Sequence, residues 1–130
     1  MTTTAAAPAR DYSLYFEHRP DYLYVHVETE NVTYETARRY WNEIVSMRHR
    51  RRYSRILVDN DIANELSIQE LFTFVSDLSY AGLDGVSFVI RPRRYDADAC
   101  EFEEMVGSNR GLTLKVCGSL DHAQQCAGLA

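Results

Sequence analysis

The stretch that most constrains the fold runs from Ser54 to Val75, SRILVDNDIANELSIQELFTFV. Ile56, Leu57 and Val58 form an uninterrupted apolar run, the pattern of a strand covered on both faces. Asp59-Asn60-Asp61 reads as the start of a polar loop that ends it, because Asp and Asn side chains bond their own backbone in turns. Ser67-Ile68-Gln69-Glu70 is a capping box. The Ser hydroxyl accepts from the N–H three residues on, and the Glu carboxylate accepts from the cap N–H. Ile68, Leu71, Phe72, Val75 and Leu78 then recur at helical spacing. The whole is one strand–loop–helix unit.

The rest of the chain extends that unit in both directions. Residues 1–10 are small residues plus Pro8 and read as a disordered tail, leaving residues 11–130 as one domain. Tyr12 to His18 and Tyr22 to Glu28 flank the turn Arg19-Pro20-Asp21. In the second strand Leu23, Val25 and Val27 alternate with Tyr22, Tyr24 and His26, so one face is strongly buried. Thr33 is the expected N-cap of a helix running to about Arg50, with Ala37, Trp41, Ile44 and Val45 as its apolar stripe. Val86 to Ile90 reads as a strand, and Asp96 to Asn109 as a helix with Phe102, Met105 and Val106 inward. Leu112, Leu114 and Val116 belong to an edge strand, and Ser119 caps a final helix through Gln125. Gly82, Gly85 and Gly111 stand where helices exit.

Strands that alternate with helices after an opening hairpin require right-handed crossovers and a largely parallel sheet. The expected fold is therefore α/β: a mixed, mostly parallel sheet of about five strands in ββαβαβα order, with helices chiefly on one face. The opposite face, carrying Tyr22, Tyr24 and His26, is then thinly covered and is a candidate homodimer surface.

Bulk properties exclude several classes. A net charge of −5 argues against wholesale binding to nucleic acid or anionic membranes. The basic run Arg48 to Arg52, with Tyr53 and Arg55, reads as a solvated helix end complementing its dipole rather than a phosphate grip. No apolar run approaches 18 residues, so no membrane span is expected. The N-terminus lacks the apolar core of a signal peptide, and three cysteines without C-x-x-C spacing read as ordinary thiols of a reducing compartment. The expected location is cytoplasmic.

No catalytic signature appears. The four histidines fall on four different elements, and nucleophile-elbow, phosphate-loop and dinucleotide motifs are missing. Neither an enzyme activity, a metal nor a cofactor is expected, and Asp59 and Asp61 lack the rest of a calcium loop. Parallel strands do gather their following loops at one sheet edge. That edge would hold Asp59, Asn60 and Asp61 opposite Arg91, Arg93 and Arg94, either as a ligand pocket or as mutually paired charges.

The order of elements, and the unit ILVDNDIANELSIQELFTFV within it, resembles the STAS domain, the family of anti-sigma-factor antagonists and of the cytosolic domains of sulfate transporters. The similarity is greatest to divergent stand-alone bacterial members. It spans roughly Tyr12 to Gln125. It implies a non-enzymatic regulatory module that docks a protein partner, a regulatory kinase or an anti-sigma factor. The implied surface is the helix and loop after the third strand: Asn64, Ser67, Gln69, Glu70, Thr73, Ser76, Asp77 and Tyr80. In the antagonists this region carries a phosphorylated Ser in an Asp-Ser-Ser-Gly-type motif. Only Ser67 stands there in this chain, without that context, so it is a candidate phosphosite that N-capping also explains. The alternative function is binding of a small anion, nucleotide or lipid at the strand-end pocket, the lipid being suggested by a lipid-carrier fold of related topology.

Overall fold

Alternation along the strands decides which side of the sheet each residue joins. In the computed structural model, which describes residues 12–62, 66–78, 81–83, 85–93, 97–109 and 111–129, the hairpin is β1 (Ser13–His18) and β2 (Leu23–Thr29), closed by a bond from the Arg19 N–H to the Tyr22 carbonyl. Then follow α1 (Tyr34–Arg51), β3 (Arg55–Ile62), α2 (Ile68–Leu78), β4 (Ser87–Pro92), α3 (Ala97–Asn109), β5 (Thr113–Val116) and α4 (Leu120–Leu129). The five strands lie in sequential order, β1 antiparallel to β2 and every later pair parallel. This is the expected mixed α/β sheet, with the ββαβαβα order extended by one strand and helix.

Parallel register aligns Val25, Val58 and Ile90 across three strands, and Leu23, Ile56, Phe88 and Leu114 across four. These rows face α1, α2 and α3, which add Ala37, Tyr40, Trp41, Ile44, Phe74, Val75, Cys100 and Val106 to one core. Trp41 is its hub, with ring contacts to Phe74 and, edge-on at 5.5 Å, to Phe88. Among the described residues, α4 is the one helix on the other face. Ala123 and Ala127 sit one helical turn apart, and their small side chains let the helix settle on Leu57 and Val89 beside Tyr22 and Cys117. Three helices on one face and one on the other fit the expectation. Tyr22, assigned above to the thinly covered face, is instead buried under α4.

The helix starts follow their caps. The Thr33 hydroxyl accepts from the Thr36 N–H at 3.1 Å. Ser67 and Glu70 exchange both bonds of the capping box, at 3.0 and 3.1 Å. The Ser119 hydroxyl accepts from the His122 N–H at 3.2 Å. α1 ends on Arg52 at φ 61°, a left-handed cap on a residue with a Cβ, which costs about 1 kcal/mol relative to Gly.

Four expectations are corrected. Asp59, Asn60 and Asp61 belong to β3, and Arg91 and Pro92 to β4. No described helix covers the sheet face beyond α4, so Asp59, Asp61 and Arg91 can stand on it inside a strand. On α2 the inward aromatic is Phe74, and Phe72 is 42% exposed. The reason is angular: at 100° per residue Phe74, Leu71, Val75 and Leu78 form one stripe and Phe72 lies off it. On α3, Met105 is 54% exposed and Cys100 takes the inward place with Val106. The N-terminal tail, the helix start at Asp96, and Asn64, Tyr80 and Arg94 lie outside the described residues.

Candidate functional site

Two surfaces gather the side chains singled out above. The first is the sheet face beyond α4. Register places His26, Asp59 and Arg91 in one row across β2, β3 and β4. Asp59 is 4% exposed and accepts from three neighbours: the Tyr24 hydroxyl at 2.7 Å, Arg91 Nη1 at 3.0 Å and His26 Nδ1 at 3.3 Å. Two strand positions on, Asp61 pairs with Arg93 at 3.3 Å. Arg19 lies over the Tyr24 ring at 4.8 Å and binds the Glu17 carboxylate. Tyr15, 56% exposed, completes the row next to His26.

Asp59 and Asp61 thus meet Arg91 and Arg93 as the sequence placed them, and they meet as mutual pairs. Buried charges are tolerated when each is matched in this way. Among the described residues one buried donor, Arg91 Nε, and one buried acceptor, Asn60 Oδ1, lack partners. They cannot serve one ligand, because alternation puts Asn60 on the helix-covered face and Arg91 on the open one. His26, Glu28 and Asp61 bring ligand-type atoms within 4.8 Å of one another. Two of the three are already engaged, His26 by Asp59 and Asp61 by Arg93.

Burial, then the hydrogen bond to Asp59, holds the Tyr24 proton well above the ordinary tyrosine range. The folded state binds this proton more tightly than the unfolded state does. Its stabilising contribution is therefore complete below the ordinary tyrosine pKa and is lost as pH climbs past it. A spectrophotometric titration of the folded protein should show a tyrosinate component that ionises later than the others, and Tyr24→Phe should remove that component. A titration unchanged by Tyr24→Phe would contradict the assignment.

The second surface is α2. Ser67, Gln69, Glu70, Thr73 and Asp77 are exposed and Ser76 is half-buried. The Ser67 hydroxyl is occupied by the capping box, and the Thr73 hydroxyl donates to the Gln69 carbonyl at 3.1 Å. Asp77 accepts from the Tyr34 hydroxyl, which ties α2 to the start of α1. The segment Ile68–Leu78 holds Glu70 and Asp77 and no cation. Phe72 stands on this helix as its one strongly exposed apolar side chain among the described positions. A single-sequence reading hides it, because Phe72 and Phe74 both fit an apolar helix.

Arg48, the first arginine of the basic run at the end of α1, is tied to the fold. Arg48 Nε donates to the Tyr53 carbonyl at 2.9 Å, and the Tyr53 ring stacks on His18 at 5.6 Å. An open depression of about 560 Å³ at the β2–α1 junction is lined by Thr29, Glu30, Asn31, Thr33, Glu35, Thr36 and Arg39. Its two carboxylates oppose an anion at the helix start.

Sequence reasoning passed over one grouping. Cys117, His122 and Cys126, read as unrelated residues, bring one sulfur or ring-nitrogen atom each within 4.8 Å of the others. No family model matches the sequence, and no curated protein matches it. No described helix is long and apolar enough to cross a membrane.

Proposed function

We propose that this domain is a non-enzymatic, STAS-like regulatory module that docks a protein partner through α2 and the loop before it. The observation that carries the reading is Phe72, 42% exposed on an otherwise polar helix surface. An exposed aromatic ringed by polar side chains is the composition of an interface anchor. Its neighbours set the partner's chemistry: Glu70 and Asp77, with no cation between Ile68 and Leu78, complement an apolar pocket flanked by Arg or Lys. A regulatory kinase or an anti-sigma factor is the partner class the STAS resemblance implies. Ser67 lies exposed at the rim of this surface, where a phosphate would meet the helix dipole favourably and Glu70 unfavourably.

The paired state of Arg91 and Arg93 counts against the alternative, an anion pocket at the strand ends, because the cations that would hold the anion are engaged by Asp59 and Asp61. A photo-crosslinking residue placed at position 72 in cells should give a discrete adduct that the same residue at position 15 does not. The recovered protein, once purified, should bind the wild-type domain and lose affinity at least ~10-fold with Phe72→Ala. No site-specific adduct, or equal binding by Phe72→Ala, would overturn the assignment of this surface.

A further inference from the structure

We propose that Cys117, His122 and Cys126 form a binding site for a thiolate-preferring divalent metal ion, zinc first among them. The site joins the end of β5 to α4. Cys117 follows the last residue of β5 and is held in place by its own N–H, which donates to the Ile90 carbonyl at 2.8 Å. It is 1% exposed. His122 and Cys126 are four residues apart on α4 and so lie on one helix face. The helix itself is fixed at both ends. Ser119 caps its start, and Arg55 Nη1 donates to the Gly128 carbonyl at 3.4 Å near its end.

The spacing of the ligand atoms is that of a metal centre. The Cys117 and Cys126 sulfurs are 3.7 Å apart. Two thiolates on one tetrahedral zinc, each about 2.3 Å from the metal, are about 3.8 Å apart. A disulfide would require the same sulfurs at about 2.05 Å, so the pair stands at coordination distance and well outside bonding distance. The His122 ring supplies the third ligand from the solvent side. Three protein ligands leave the fourth position of the tetrahedron to water.

Charge balance favours the same occupant. Both cysteines are free. A divalent cation displaces one proton from each thiol into solvent, and the two thiolates neutralise it. The resulting centre carries no net charge, as a position packed against Leu57 and Val89 requires. The site is independent of the docking surface, since α2 and α4 lie on opposite faces of the sheet.

Cobalt(II), added alone to the reduced protein, is the probe. One equivalent should give the intense visible bands of tetrahedral cobalt together with a thiolate-to-cobalt charge-transfer band, and zinc should bleach both. Cys126→Ser should abolish the charge-transfer band or sharply reduce it, and His122→Ala should weaken cobalt binding. Cys100→Ser, which alters a thiol in the other core, should leave the spectrum unchanged. His122 is exposed, so its variant carries the test if Cys126→Ser fails to fold. The proposal is overturned by the weak spectrum of octahedral cobalt, by no charge-transfer band, or by a spectrum unaffected by both Cys126→Ser and His122→Ala.

Discussion

Phe88→Ala is expected to lower the free energy of unfolding by about 3–5 kcal/mol. Domains of this size are held by roughly 5–15 kcal/mol in total, so the variant should stand close to its unfolding threshold. The position explains the size of the effect. Phe88 is 2% exposed on a central strand, aligned with Ile56 on one side and Leu114 on the other, with Trp41 edge-on above it. Three elements converge on the ring, so none can collapse into the space it leaves without moving the others. Urea denaturation followed by the fluorescence of Trp41, the single tryptophan, measures the loss. The denaturant slope should be unchanged, which separates lower stability from a looser native state. A loss below about 1 kcal/mol would mean that the cavity closes and that this core is not held as described.

Asp59→Ala should cost about 2–4 kcal/mol, for a different reason. The mutation removes little apolar area. It strips the shared acceptor from Tyr24, His26 and Arg91 and leaves a half-buried guanidinium unmatched. The Arg91 and His26 side chains keep 30% and 32% exposure, so water relieves part of the loss and holds it below that of a fully enclosed charge. Replacing both partners, Asp59→Leu with Arg91→Met, should recover most of the stability, since apolar substitutes for a buried ion pair are often neutral or better. If the double variant is no more stable than Asp59→Ala alone, the cost comes from strand geometry rather than from the orphaned charge.

These two residues also mark how far the sequence could be read. The hydrophobic rows were legible because period two on a strand and 3.6 on a helix are enforced by burial on one face. Leu23, Val25 and Val27 assign themselves, and so do Ala37, Trp41 and Ile44. The capping box was legible because its chemistry is local, confined to Ser67 and Glu70. Asp59 and Asp61 were misplaced into a loop because their residue types favour turns. What keeps them in β3 is a sheet face that no described helix covers and two arginine partners, Arg91 on β4 and Arg93 just past it, and neither is visible in the neighbouring letters. Phe72 and Met105 were misassigned for a related reason. An apolar residue near the edge of a helical stripe faces in or out according to the helix's rotation, and contacts with the neighbouring elements set that rotation. The Cys117–His122–Cys126 grouping escaped because its first member lies in a loop and its other two on a helix, so the spacing matches no familiar ligand motif.

The end of β5 has a consequence for how open that margin of the sheet is. Cys117 directs its N–H inward to β4, so Val116, one residue earlier, directs its own outward, where the Glu104 carboxylate accepts it at 2.6 Å. α3 approaches the strand closely at Gly107, where a Cβ would lie 3.4 Å from Leu114. With only four residues, an exposed Lys115 and a stoppered donor, β5 is a poor template for a further strand. Edge-on addition of a strand is therefore disfavoured at β5. The carboxylate of Glu104 thus fills the place of the carbonyl that an incoming strand would bring to this margin.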